Sequence, residues 1–256
     1  VAYYETGSTH GRTLVLLHAF PLNATMWQAQ LAAPPAGWRL IAPDFAGLGS
    51  SDDHEGLAAS LDDYAHDVLT LVDRLGIGRV VVAGVSLGGY VALALARLAP
   101  DRLAGLVLID TKAPADSPEA RDGRSRMLEL LENRGTGGVA DEMLPKLLGD
   151  TTRRERPALV ELVRSAILTN DPEGVRRAIV RLRDRPDATP GLASIAVPTL
   201  VVVGEEDAVT PPAEAERLAQ AIPGARLERI AAAGHLATLE QPEAFGRVLD
   251  DFLARF

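Results

Sequence analysis

Cysteine is absent from the 256-residue chain, which excludes a disulfide framework, a cysteine-ligated zinc or iron–sulfur centre, and a thiol nucleophile. Any covalent chemistry falls to oxygen or nitrogen groups. Basic charge is in short supply as well: 26 Lys and Arg stand against 35 Asp and Glu, a formal net charge of −9. That sign repels phosphate backbones and anionic membrane surfaces, so neither nucleic acid nor a membrane is expected as a partner. No apolar run reaches the roughly 18 residues that span a bilayer. Residues 1–7 lack the basic and apolar regions of a secretory signal. The chain reads as soluble and cytoplasmic, and Val1 in place of an initiator Met implies that a few residues have been trimmed. Histidines number only five, which keeps the search for a catalytic base short.

What the chain does have is apolar material, 47% of its residues, enough for one sizeable core with room for an insertion. Short apolar, largely β-branched runs at 13–17, 39–42, 80–83, 106–109, 199–203 and 227–230 read as strands. Helical patterns at 62–75, 87–98, 213–222 and 242–256 alternate with them. In the last of these Phe245, Val248, Leu249, Phe252, Leu253 and Phe256 keep the three-and-four spacing of one buried face. Continuous apolar strands suit a mostly parallel sheet buried on both faces, so the fold class is α/β. Between Lys112 and Arg185 the chain changes character. It is near neutral, has no strand-like run, and shows helical patterns broken by Gly135, Gly149 and Pro157. The expected division is a sheet-bearing core at 1–111 and 191–256 with an all-helical lid at 112–190. Ligands of open parallel sheets bind beyond the carboxyl ends of the strands, where such a lid would roof the site.

Gly84-Val85-Ser86-Leu87-Gly88 directly follows the strand at 80–83 and opens the next helix. A serine at that junction is forced into a tight, strained turn, and glycines two residues on either side keep Cβ atoms out of the neighbouring backbone. The turn presents the Ser86 hydroxyl at a strand's carboxyl end, beside a helix amino terminus that favours developing negative charge.

A serine hydroxyl needs a base. His10 lies in a glycine-flanked turn, His54 in an acidic loop, and His66 on a helix whose apolar face is elsewhere; all three read as solvated. His18 ends the first strong strand and reads as a brace for the loop it enters. His235 follows the last strand in the stretch Ala231-Ala232-Ala233-Gly234 and is the expected base. The carboxylate that would orient it has two candidates, Asp207 and Asp110, each just past a strand end. Asp207 is preferred because its strand is the nearest in sequence to that of His235 and its loop, 204–210, is built of glycine and polar residues. Attack on a carbonyl also needs donors for the oxyanion. The expected donors are the N–H of Leu87, the residue after the nucleophile, and that of Phe20 in His18-Ala19-Phe20-Pro21.

Taken together, His18-Ala19-Phe20-Pro21, Met26-Trp27, the run from Asp44 through Gly47-Leu48-Gly49 to Asp52, Gly84-Val85-Ser86-Leu87-Gly88-Gly89, Asp207 and Gly234-His235-Leu236 resemble the α/β-hydrolase superfamily over nearly the whole chain. The order serine, aspartate, histidine is that superfamily's order. The phenylalanine in the oxyanion loop, the Met-Trp pair and the four-helix lid look most like the branch of bacterial carboxylesterases, 3-oxoadipate enol-lactonases and cofactor-free perhydrolases. The resemblance implies a lid inserted after the sixth strand and no metal or other cofactor. It also implies a small-molecule ester substrate, with a monomer or small homo-oligomer as the assembly. One departure is Ala19, where the family usually has glycine, which bears on the placing of the Phe20 N–H. Serine at 86 argues against dehalogenase and epoxide-hydrolase branches, which place aspartate there. The expected activity is a serine carboxylesterase on short, apolar esters, with a pocket lined by Trp27, Met127, Leu131, Met143 and Leu147. Lactone opening, carbon–carbon bond hydrolysis and perhydrolysis with the same triad are the alternatives, and a catalytically weak receptor is a remote one.

Overall fold

The apolar runs form the interior of a seven-stranded sheet in a computed structural model that describes residues 1–52 and 60–256. His54, read from sequence as a solvated loop residue, lies outside the described residues. The strands are β1 (Tyr3–Gly7), β2 (Arg12–Leu17), β3 (Trp38–Pro43), β4 (Val80–Val85), β5 (Leu103–Ile109), β6 (Thr199–Gly204) and β7 (Arg226–Ile230). They lie in the order β1-β3-β2-β4-β5-β6-β7, with β1 antiparallel to β3 and all other neighbours parallel. Every residue of β4 and β6 is buried. Both faces of the sheet are therefore covered, which is why these strands are continuously apolar rather than alternating.

The helices are α1 (Gln28–Ala32), α2 (Leu61–Arg74), α3 (Leu87–Leu98), α4 (Pro118–Leu147), α5 (Asp150–Glu155), α6 (Pro157–Leu168), α7 (Pro172–Arg183), α8 (Pro212–Ala221), α9 (Ala237–Glu240) and α10 (Pro242–Leu253). Ser60 and Asp63 form a reciprocal cap at the start of α2, satisfying N–H groups that the helix itself leaves unbonded. Its buried stripe, Tyr64, Ala65, Val68, Leu71 and Val72, packs α2 against α3. On α10 the expected face is buried at Phe245, Leu249, Phe252 and Leu253. Each such side chain contributes about 1.5–3 kcal/mol of apolar burial.

Between β5 and β6 the chain is helical, running through α4 to α7. The breaks fall where glycine and proline mark them: Gly135 interrupts α4 with φ 62° and ψ −165°, Gly149 precedes α5, and Pro157 opens α6. The insertion follows the fifth strand, not the sixth. Only β1, β2 and β3 precede β4 among the described residues, so the count before the insertion is one lower than the resemblance implies. β1 itself carries no sequence signal: Tyr-Tyr-Glu-Thr-Gly is largely exposed and is held by its ladder to β3 rather than by buried side chains.

Candidate active site

β4 ends at Val85, and Ser86 then turns the chain into α3 with φ 53° and ψ −108°, a region that L residues rarely occupy and that costs on the order of 1–3 kcal/mol. The surroundings hold it there. The Ser86 N–H donates to Ile109 O at 2.9 Å, and its carbonyl accepts from the Thr111 hydroxyl at 2.9 Å and the Tyr90 N–H at 3.1 Å. A Cβ at Gly84 would lie 2.2 Å from Gly88 O, and one at Gly88 would lie 2.3 Å from Leu17 O. Only glycine fits either side of the turn. Ser86 keeps 9% of its surface exposed.

His235 and Asp207 follow β7 and β6 and meet at 2.9 Å, His235 Nδ1 to Asp207 Oδ2, with both side chains buried. Asp207 has a full set of donors. Its Oδ1 accepts from the N–H groups of Val209 (2.8 Å) and Thr210 (2.9 Å), and its Oδ2 from the Thr210 hydroxyl (2.7 Å). A carboxylate that only accepts requires the proton on His235 Nδ1, which leaves the Nε2 lone pair as the basic position. Burial pushes the Asp207 carboxyl upward, but the His235 charge and the hydrogen bonds from His235 and Thr210 outweigh it and hold the pKa below the ordinary value.

Asp110, the other candidate, does not orient the imidazole. It is fully buried at the end of β5, with φ 46°, and its oxygens accept from the N–H groups of Gly204 (2.8 Å) and Ala237 (3.1 Å). It thereby ties the loops that carry Asp207 and His235 to the end of β5. Burial first, then the Asp207 charge, raises its pKa well above the usual carboxylate value.

The loop after β2 is held from several sides. Phe45 N–H donates to His18 Nε2 at 3.0 Å, so Nδ1 carries the proton and donates to Ala19 O at 3.0 Å. His18 is thus a neutral brace, as its position suggests, and burial keeps its pKa below the ordinary histidine value. The Ala19 N–H donates to Met26 Sδ at 3.1 Å. Asn170, in the turn between α6 and α7, donates to Pro21 O at 2.8 Å and accepts from Gly49 N–H at 2.7 Å. Among the described residues none accepts a hydrogen bond from the Phe20 N–H. Leu87 is the first residue of α3, where helix N–H groups have no intrahelical acceptor.

The remaining histidines His10 and His66 are exposed. Of the five expected pocket residues, Trp27 is fully buried, its ring 6.2 Å from that of Phe245 in the core. Leu131, Met143 and Leu147 are buried, while Met127 lines a cavity of about 510 Å³ with Lys112, Arg124, Arg126 and Thr210. Residues that sequence reasoning passed over include Thr210, Asn170 and Glu240. Their signal is position alone, three residues after Asp207, at a helix–helix turn, and five residues after His235. Among the described residues no group of three His, Asp or Glu side chains is arranged to hold a metal ion.

A strained serine at a strand–helix turn of a parallel sheet, with a histidine–aspartate pair on loops from the same sheet, defines the architecture of a hydrolase. The profile of the alpha/beta hydrolase family matches residues 14–248, and the chain belongs to that family. It is 27% identical over 254 residues to 3-oxoadipate enol-lactonase 2 of Acinetobacter baylyi, covering 99% of this chain and 93% of that one. A thermophilic esterase from Thermogutta terrifontis, solved with malate bound, superposes with a TM-score of 0.94 at 42% identity, covering 99% of this chain and 93% of that one. The enol-lactonase from Burkholderia xenovorans LB400 superposes with a TM-score of 0.90 at 30% identity, covering 99% and 96%. The protein is an enzyme of hydrolase type.

Proposed function

We propose that the protein is a serine carboxylesterase acting on small, short-acyl esters through Ser86, His235 and Asp207. The observation that carries this reading is the buried His235–Asp207 hydrogen bond of 2.9 Å, which leaves Nε2 free to act as base in a fold whose only strained serine is Ser86 among the described residues. Nε2 takes the Ser86 proton as Oγ attacks the ester carbonyl, and the N–H groups of Phe20 and Leu87 receive the oxyanion. His235 then protonates the leaving alcohol, and water activated by the same nitrogen hydrolyses the acyl-enzyme. The helices between β5 and β6 act as the lid of this site, and the setting is cytoplasmic. Hydrolysis of 4-nitrophenyl esters of increasing acyl length, run beside Ser86→Ala, tests the reading. Turnover that the substitution abolishes is expected; equal inactivity of both proteins on every ester and lactone would defeat it.

A second reading, opening of a lactone that carries a carboxylate, is favoured by the cavity that Met127 lines. Lys112 there makes no ion pair with a described residue. Burial, and then the nearby Arg185 charge, lowers its pKa against the opposing pull of Asp116 and Glu214. Mono-4-nitrophenyl succinate against 4-nitrophenyl butyrate separates the readings: a preference for the anionic ester that Lys112→Ala removes would favour the second.

A further inference from the structure

Glu240 closes the short helix α9 and is fully buried, a place where an ionisable side chain is costly unless its oxygens are fully engaged. They are engaged by main chain. Oε1 accepts from the N–H groups of Gly234 at 2.9 Å and Leu236 at 3.1 Å, the residues on either side of His235. Oε2 accepts from the N–H of Gly149 at 2.8 Å, which belongs to the helical insertion. The N–H of His235 itself, between the two donors to Oε1, donates to Leu147 O at 3.1 Å, again in the insertion. Two segments some ninety residues apart in the chain thus share one carboxylate. They approach so closely that a Cβ at Gly234 would lie 2.3 Å from Gly149 N, and a Cβ at Gly149 would lie 2.9 Å from Gly234 N. Glu206 adds a second tie, accepting from the Thr151 N–H at 2.9 Å and its hydroxyl at 2.6 Å while its own N–H donates to Ala233 O at 2.8 Å.

A carboxylate suits this place for a geometric reason. Three N–H groups converge on it from two directions, and two oxygens with two lone pairs each can accept all three. A glutamine offers one oxygen and turns its NH₂ toward the remaining donor. An apolar residue leaves three buried N–H groups unbonded, a costly outcome for main-chain donors away from water. Asp110 fixes the next residue but one, Ala237, from the sheet side. The main chain from 234 to 237 is therefore held at every N–H.

We propose that Glu240 is a positioning residue for His235, and that through Gly149 it makes the helical insertion part of the device that sets the imidazole against Ser86, not only a cover for the substrate. The proposal rests on His235 being the base of the proposed esterase. The loop that carries His235 is rich in alanine and glycine, and its one large apolar side chain, Leu236, is fully buried. Beyond that packing its path is held by polar contacts, of which Glu240 supplies two, to Gly234 and Leu236, while its third reaches Gly149.

The test compares Glu240→Gln, Glu240→Ala and Gly149→Ala with Leu249→Ala, a core substitution on α10 remote from these contacts. Thermal midpoints, kcat and KM on 4-nitrophenyl acetate, and the downfield proton resonance of His235 Nδ1–H are read for each. Glu240→Gln is expected to lower kcat about tenfold and Glu240→Ala about a hundredfold with KM within about twofold, the scale of an ångström of misplacement at a reacting group. The resonance should shift or broaden in both. Leu249→Ala should lose comparable thermal stability and keep kcat and the resonance. Glu240 variants that lose only stability, as Leu249→Ala does, would overturn the proposal. If Glu240→Ala does not fold, Glu240→Gln carries the comparison. The resonance needs no substrate, so its loss in a protein inactive on every ester would reject the esterase reading and still support Glu240 as the residue that places His235.

Discussion

Asp207 and Asp110 stand at the ends of neighbouring strands, and opposite surroundings drive their proton affinities apart. Asp207 faces His235 and Thr210 and is held below the ordinary carboxylate pKa, whereas Asp110 is raised by burial and by the Asp207 charge. Replacement of Asp207 by Asn should lower kcat on the order of 10³–10⁴-fold with KM little changed, because the amide permits the wrong histidine tautomer; steady-state kinetics on a 4-nitrophenyl ester checks it. For Asp110 the sign runs the other way. A folded pKa raised above the ordinary 3.8 stabilises the protein fully below that value, and the contribution is lost as pH rises through the folded pKa. Asp110→Asn should therefore be most destabilising near pH 4, with the gap to wild type narrowing as pH rises, measured by thermal midpoints across the range. Ser86 was legible in the sequence because strand, glycines and helix all mark the same turn. The choice between the two aspartates was not decided by strand ends alone, since both occupy equivalent ones. What separates them is the turn that brings the Thr210 hydroxyl and two N–H groups onto Asp207.

The helical insertion is legible as an element because its period and its glycine and proline breaks are local properties. Its attachment is not, because it consists of contacts between residues far apart in sequence. Asn170 ties the α6–α7 turn to the loop that carries Phe20, and a Cβ at Gly174 would lie only 1.6 Å from Gly47 O. The insertion is thus joined to the loop that carries Phe20 on one side and to the His235 loop on the other. Asn170→Ala removes both hydrogen bonds and should lower kcat about tenfold through the placing of the Phe20 N–H, with a small change in KM; the same assay reads it. Gly135 gives a contrasting expectation. Its φ of 62° and ψ of −165° suit glycine alone, yet a Cβ there meets no atom within 4 Å. Gly135→Ala should therefore cost backbone strain only, about 1–3 kcal/mol, or roughly 2–4 °C of thermal midpoint per kcal/mol, with the turn at Ser86 undisturbed. The edge strand β1 and the short helix α9 stayed hidden because each is too short or too exposed to impose a hydrophobic period.

Across the whole molecule, the parallel sheet brings Ser86, Asp110, Asp207 and His235 to the carboxyl ends of β4, β5, β6 and β7, which lie side by side in that order. Residues separated by about 150 positions in the chain can act together because the topology gathers strand ends on one edge. The acidic, cysteine-free composition agrees with this arrangement without requiring it, and nothing in composition foretells that buried main-chain donors would gather around Glu240. In the proposed reaction Ser86 is made nucleophilic by His235. Labelling with a fluorophosphonate, followed by intact-mass and peptide mass spectrometry, tests it most directly. One adduct per chain, on Ser86, is expected, abolished in Ser86→Ala and slowed on the order of 10³-fold in His235→Ala. An adduct on another residue, or labelling of Ser86 at an unchanged rate without His235, would contradict it.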